Sequence, residues 1–163
     1  MTQTHTPEML IQRSVELALN NVDVGGKPFA CIVVDRQSGE IVHEATNQVS
    51  QSGDLTAHAE ITAIRELAAK GRTDLNGCDV YITAYPCPMC LGALYYAAPE
   101  QVYFAATREQ EGEHYEDGGR YMTLETFYDE FAKPIAQQNL SFTQVSVKDP
   151  TAPFRLWTHR HKG

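Results

Sequence analysis

Residues 79–106 read DVYITAYPCPMCLGALYYAAPEQVYFAA. The run Asp79 to Thr83 is rich in β-branched and aromatic residues, as strands are, and Gln101 to Ala106 repeats that character. Between them Pro88 to Ala97 is a short apolar segment with proline at its first position, where a helix has no use for an N–H. Strand, helix and strand in this order predict two parallel strands joined by a helical crossover, hence an α/β protein.

Working outward, His58 to Lys70 places Ile61, Ile64, Leu67 and Ala68 at helical spacing and stops at Gly71, which predicts a second helix. FACIVVD (29–35) and IVHEATN (41–47), joined by a glycine-containing turn, predict a β-hairpin. Thr6-Pro7-Glu8 combines an N-cap, a first-position proline and a first-turn acid, so a first helix is expected to run to about Asn20. Downstream, residues 107–119 are polar, with five acids among residues 109–117, and predict a solvated loop or lid. Met122 to Phe131 predicts a helix, SFTQVSV (141–147) a strand, and FRLWTHRHK (154–162) an amphipathic closing helix with a basic end. The expectation is a mixed sheet flanked by helices, in a single domain spanning residues 1–163.

The 163 residues are 42% hydrophobic and 21% charged, as ordinary globular domains are. A formal net charge of −8 argues against a nucleic-acid partner, whose affinity comes from neutralised phosphates. No apolar run approaches a membrane span and the N-terminus lacks a signal pattern, so a cytoplasmic protein without a membrane partner is expected. In that setting Cys-x-x-Cys reads as a metal or redox motif, and Cys31 and Cys78 read as small buried hydrophobes.

The chemistry concentrates in His58-Ala59-Glu60 and Pro86-Cys87-Pro88-Met89-Cys90. Shuffling this composition would produce both motifs in this order on the order of once in a few thousand chains. Cys87 stands where an N-cap belongs, and Cys90 three residues later lies over it on the first turn, so both sulfurs can reach one ion. The partial positive charge of a helix N-terminus favours thiolates, which zinc requires. His58, entering the other helix, supplies a third ligand. Three protein ligands leave one tetrahedral position for water, which distinguishes a catalytic zinc from a closed structural site. Zinc lowers the pKa of such a water to roughly 7, and Glu60 is placed to take its proton and return it to a ring nitrogen and to departing ammonia. Two other readings compete. A thiol redox protein would use Cys87 and Cys90 but leaves His58 and Glu60 without a role. A structural zinc module would need a fourth ligand, and Cys31, His43, Cys78 and His114 are not at metal spacing.

At these residues the chain resembles the zinc-dependent cytidine and deoxycytidylate deaminase superfamily. GGKPFACIVV, ATNQV, TAHAEITAIRE, PCPMCLGALYYAAPEQVYFAA and FAKP are most similar to its bacterial guanine deaminase branch. The resemblance implies a three-layer α/β/α cytidine-deaminase-like fold around a five-stranded mixed sheet, with one Zn2+ per chain on His58, Cys87 and Cys90. It implies Glu60 as proton shuttle and a free purine base, guanine first, as substrate. Asn47 would hydrogen-bond that base, Phe29 would pack on its ring, the Ala59 backbone would meet a polar edge, and Asp117 would hold the far side. It further implies a homodimer, in some relatives with the C-terminal segment exchanged. Cytosine or another nucleobase or nucleoside is the alternative substrate, and tRNA adenosine is disfavoured by the acidic charge. The chain departs from the pattern at Tyr85, where relatives carry glutamate, in a longer 107–120 loop, and in a C-terminus without the branch's terminal tyrosine.

Overall fold

The structure is a computed structural model that describes residues 5–162. Helix α1 (Pro7–Asp23) starts where Thr6 caps it, its side chain accepting from the Met9 N–H at 3.2 Å. Strands β1 (Ala30–Asp35) and β2 (Ile41–Thr46) form the expected hairpin, followed by the single turn α2 (Val49–Ser52) and helix α3 (Ala59–Ala69). Strand β3 (Cys78–Ala84), helix α4 (Pro88–Ala97) and strand β4 (Gln101–Ala106) make the crossover unit. Three further helices follow: α5 (Arg108–Gly112), α6 (Phe127–Ala132) and α7 (Ala152–His161).

The sheet runs β2-β1-β3-β4, with β1 antiparallel to both of its neighbours and β3 parallel to β4. Alternation along β1 divides the core into two layers. Ile32 and Val34 face α1, packing with Leu10 and Tyr81, while Cys31 and Val33 face α3 and α4, packing with Ala59, Ala63, Leu67 and Leu94. Cys31 and Cys78 are both buried, as small hydrophobes are. Among the described residues no helix is long and apolar enough to cross a membrane.

Two expectations are corrected. The sheet has four strands, and residues 141–147 form none. In SFTQVSV the apolar residues change phase between Phe142 and Val145, so no single face is apolar, and Phe142, Val145 and Val147 are exposed. The expected helix over 122–131 is instead a 3-10 turn (Leu124–Thr126) continued by α6. The closing helix α7 forms at 152–161 but buries none of its residues.

Helix α1 also runs past Asn20, because Asn21 has a tertiary task. Its buried side chain donates through Nδ2 to the Lys27 carbonyl (2.7 Å) and the Asn47 carbonyl (2.9 Å), and its Oδ1 accepts from Gln51 Nε2 (2.9 Å). One amide thus ties the end of α1 to the loop before β1, the end of β2 and α2. Gly26 lies directly over this amide, and a Cβ there would collide with Asn21 Nδ2 and sit 2.6 Å from Gln51 Nε2. Three hydrogen bonds hold the amide, so it cannot step aside. Gly26→Ala is therefore expected to cost about 1–3 kcal/mol as an overpacked site, lowering Tm by roughly 2–4 °C per kcal/mol. The exposed mid-helix Gly92, whose added Cβ meets nothing, should respond with the opposite sign on Gly92→Ala, by about 0.5–1 kcal/mol. Thermal melts of the two variants check both signs, and a Gly26→Ala protein as stable as wild type would remove the clamp from the account.

Candidate functional site

The antiparallel β1 and parallel β3 and β4 bring the start of β1 and the ends of β3 and β4 to one edge of the sheet. In parallel α/β architectures this is where ligands bind, outside the carboxyl ends of the strands. Helices α3 and α4 both begin at that edge. His58 is the N-cap of α3, with φ −63° and ψ 160°, and Cys87 is the N-cap of α4, with φ −65° and ψ 166°. Pro88 restricts Cys87 to this extended conformation. The Cys90 N–H donates to Cys87 Sγ at 3.5 Å, so the thiol fills the place of the usual capping oxygen.

The metal-type donors converge. His58 Nδ1 lies 3.5 Å from Cys87 Sγ and 3.5 Å from Cys90 Sγ, and the three donor atoms all fall within 4.8 Å of one another. A tetrahedral ion with Zn–S near 2.3 Å and Zn–N near 2.0–2.1 Å requires sulfur-to-nitrogen edges of roughly 3.6 Å. The donor set therefore fits zinc in kind and in spacing. Hydrogen bonding from Cys90, reinforced by His58 against the cost of burial, pushes the Cys87 thiol down to about 4. Cys90 is correspondingly pushed up by its hydrogen bond to Cys87, by burial and by Glu60. The hydrogen bond with Cys87 raises the His58 imidazolium against desolvation. A metal ion binding here would displace the protons of these thiols, since zinc takes the thiolate form.

Glu60, in the first turn of α3, is buried, and burial pushes its carboxyl above the usual range while hydrogen bonding to Cys90 opposes the shift. It lines the cavity onto which His58 and Cys87 open, while Cys90 lies buried behind them. Phe29, His58, Cys87 and Asp117 share that lining. Asn47 and Ala59 do not belong to it. Ala59 is fully buried, and Asn47, also buried, spends Oδ1 on the Val49 N–H at 2.9 Å.

The far wall comes from the 107–128 segment, beyond what a solvated loop would give. Thr107 and Gln110 form a capping box that starts α5, and Glu111 of that helix lines the cavity with Arg108, Leu124, Phe127 and Tyr128. Tyr115 packs edge-on against Phe29 with ring centroids 5.1 Å apart, and Lys27 Nζ is 3.8 Å from Asp117. Tyr128 donates to the Pro86 carbonyl at 2.5 Å, fixing the peptide just before Cys87, and Arg108 lies 4.7 Å over the Tyr128 ring. Of these wall residues, the sequence reading had singled out Asp117. The S/T-x-x-E/Q signature at Thr107-Arg108-Glu109-Gln110 was the one local signal for α5. Nothing local marks Tyr128, whose role depends on a contact 42 residues away in the chain.

Residues 4–106 match the profile described as the cytidine and deoxycytidylate deaminase zinc-binding region. The chain is 38% identical to guanine deaminase of Bacillus subtilis (strain 168) over 152 residues, 92% of each protein. The X-ray structure of the Bacillus subtilis guanine deaminase superposes with a TM-score of 0.86 at 35% identity, over 98% of both chains. A guanine deaminase structure from Nitrosomonas europaea superposes with a TM-score of 0.64 at 30% identity, covering 77% of this chain and 75% of that one. A tRNA-specific adenosine deaminase of Aquifex aeolicus (strain VF5) is 36% identical over 106 residues, 64% of this chain and 69% of the other. With its donor triad at two helix starts, a buried glutamate beside it and a profile match across more than half its length, the chain belongs to the cytidine and deoxycytidylate deaminase family.

Proposed function

We propose that the protein hydrolyses the exocyclic amine of guanine, giving xanthine and ammonia, with one zinc per chain held by His58, Cys87 and Cys90. The observation that carries the reading is the three-donor cluster, two of whose members, His58 and Cys87, line with Glu60 a cavity walled by Phe29 and Asp117. Its support from kinship is the similarity to guanine deaminase over nearly the whole chain, against a partial match to the tRNA enzyme. The net charge of −8 weighs against RNA in the same direction.

A zinc ion in this site supplies a water whose pKa is lowered to roughly 7. The residues do the rest. Phe29 presents an aromatic surface for the base, and Asp117, held by Lys27, offers an acceptor for its N–H groups. Glu60 takes the proton of the attacking water, places it on the ring nitrogen beside the amine-bearing carbon, and delivers a second proton to the amine as the C–N bond breaks. The water oxygen remains on the ring and ammonia leaves. Burial suits Glu60 to this work, because raising the carboxyl's pKa makes it a better proton acceptor than an exposed carboxylate. Asn47 enters the reading by resemblance alone, since its side chain lies outside the cavity lining and its oxygen accepts from Val49.

The homodimer inferred from kinship is supported by apolar surface left uncovered in one chain. Leu91, Leu94, Tyr95, Val102 and Phe104 line a groove beside α4 and β4, and Phe154, Leu156 and Trp157 of α7 are exposed. Sedimentation at micromolar concentration is expected to give a dimer, and a monomer would remove the inference.

Elemental analysis should return about one zinc per chain, and Cys87→Ala should lose zinc and activity together. Glu60→Gln should keep its zinc while losing roughly 10⁴-fold or more in kcat, at the upper end for an acid–base group that serves several transfers. Near-normal turnover in that variant would end the shuttle assignment. Guanine, adenine, cytosine, cytidine and guanosine compared by kcat/KM should rank guanine first, and a tenfold preference for cytosine or a nucleoside would overturn the purine assignment. Asn47→Ala is expected to lower kcat/KM for guanine without changing zinc content.

A further inference from the structure

One carboxyl in the cavity has no part in the chemistry above. Glu111 projects from α5, whose backbone is locked: the Glu111 N–H donates to the Thr107 carbonyl at 2.9 Å, and its carbonyl accepts from His114 (3.1 Å) and Tyr115 (2.9 Å). The fixed backbone directs the side chain into the lining that also contains Glu60 and Asp117.

The neighbouring charges are already engaged. Asp117 is paired with Lys27, and Arg108, the one lysine or arginine of the lining, lies over the Tyr128 ring and 4.0 Å from Glu109. Among the described residues the Glu111 carboxyl makes no hydrogen bond and no ion pair. It is nonetheless half-buried, and burial, with Asp117, Cys87 and Glu60 adding repulsion, pushes it up to about 7. A half-buried carboxyl without a partner is costly unless a ligand completes it. The complement is an N–H donor and not an anion, because a phosphate would meet Glu60, Glu111 and Asp117 together. It must also reach Glu111 from a ring beside Phe29, since Tyr115, three residues after Gly112, closes the segment onto that ring.

We infer that Glu111 is a specificity-determining residue that accepts a hydrogen bond from a ring N–H of the base, on an edge away from the metal donors. The inference rests on the guanine reading and narrows it to bases whose five-membered ring carries a free N–H. It also makes nucleotides non-substrates, since their phosphate would enter a wall of carboxyls.

The test compares guanine with 7-methylguanine and 9-methylguanine, neither of which keeps an N–H on its five-membered ring, in wild type, Glu111→Gln and Glu111→Ala. Wild type should disfavour both methylguanines by at least about tenfold in kcat/KM, since a site built to hydrogen-bond a group rejects analogues lacking it. Glu111→Ala should lower guanine kcat/KM by roughly tenfold to a hundredfold, mainly through KM, as for a lost hydrogen bond to a charged group. The same variant should bring the guanine to methylguanine ratio to within about threefold of unity. Glu111→Gln, which keeps the shape and an acceptor oxygen, should fall between, with zinc content and Tm unchanged, and it carries the test if the alanine variant does not fold. Ratios that stay within twofold of wild type in the folded variants overturn the inference, as does a wild type that accepts either methylguanine as well as guanine. A wild type that leaves guanine untouched while deaminating another base is a different result: it removes the guanine reading, and this inference falls with it.

Discussion

The structure depends on two helix N-termini being made to meet. His58 and Cys87 occupy the same extended N-cap conformation on separate helices, and their donor atoms come to 3.5 Å of each other. Hydrogen bonding from Cys90 and the neighbouring His58 lower the Cys87 thiol without a lysine or arginine at the ligands, in the direction that a helix N-terminus also favours. Such a meeting point needs both helices on one face of the sheet and pointing to the same edge. The crossover between β3 and β4 places α4 there, and the connection from the hairpin places α3 beside it. The small residues Ala59 and Ala63 lie in the core between these helices and the sheet. That closeness limits what can substitute at these positions as firmly as the ligands do.

A second layer of restraint holds the mouth of the site. Asn21 links α1, the loop before Phe29, the residue after β2 and α2 through one buried amide, and Tyr128 ties α6 to the peptide before Cys87. Both are single polar side chains bonded to backbone carbonyls. A buried carbonyl without a donor would cost about 1–3 kcal/mol, so each contact specifies position as well as contributing stability. The opposite faces of the cavity are fixed by different means. The Phe29 side is held through the sheet and Asn21, whereas the Glu111 and Asp117 side is held by one short helix, a Lys27 ion pair and the contact of Tyr115 with Phe29.

This difference explains what the sequence disclosed. From Pro7 to Ala106 each element has a period, a cap or a breaker, and the metal donors occupy the first turns of two such elements, so spacing alone located them. The end of α1 was misplaced by three residues because Asn21 works through tertiary contacts that no local pattern records. Beyond Ala106 the pattern fails in physical terms. SFTQVSV mixes two phases and forms no strand, and α7 has an apolar side with nothing of its own chain to cover it. Glu111 was read as one acid among five in a polar run, and its membership in the cavity depends on the chain folding back over Phe29. Asn47 was assigned by resemblance to a hydrogen bond with the base. Its buried side chain also serves the backbone at Val49.

The charge of the cavity connects these levels. Two thiolates and a neutral imidazole would cancel a divalent ion, so a metal bound here would present no net charge to the rest of the site. Glu60, Glu111 and Asp117 must then be balanced by what surrounds them, and the lysine and arginine within reach are Lys27, spent on Asp117, and Arg108, spent on Tyr128 and Glu109. The remaining carboxylate charge favours a ligand that is neutral, planar and rich in N–H donors. A free purine base with an exocyclic amine has all three properties, whereas a nucleotide has the wrong charge and a nucleoside has lost a ring N–H. Selection by charge and selection by donor count therefore converge on the same class of molecule, and both act through the wall built from residues 107–128, apart from the two helix starts that provide the chemistry.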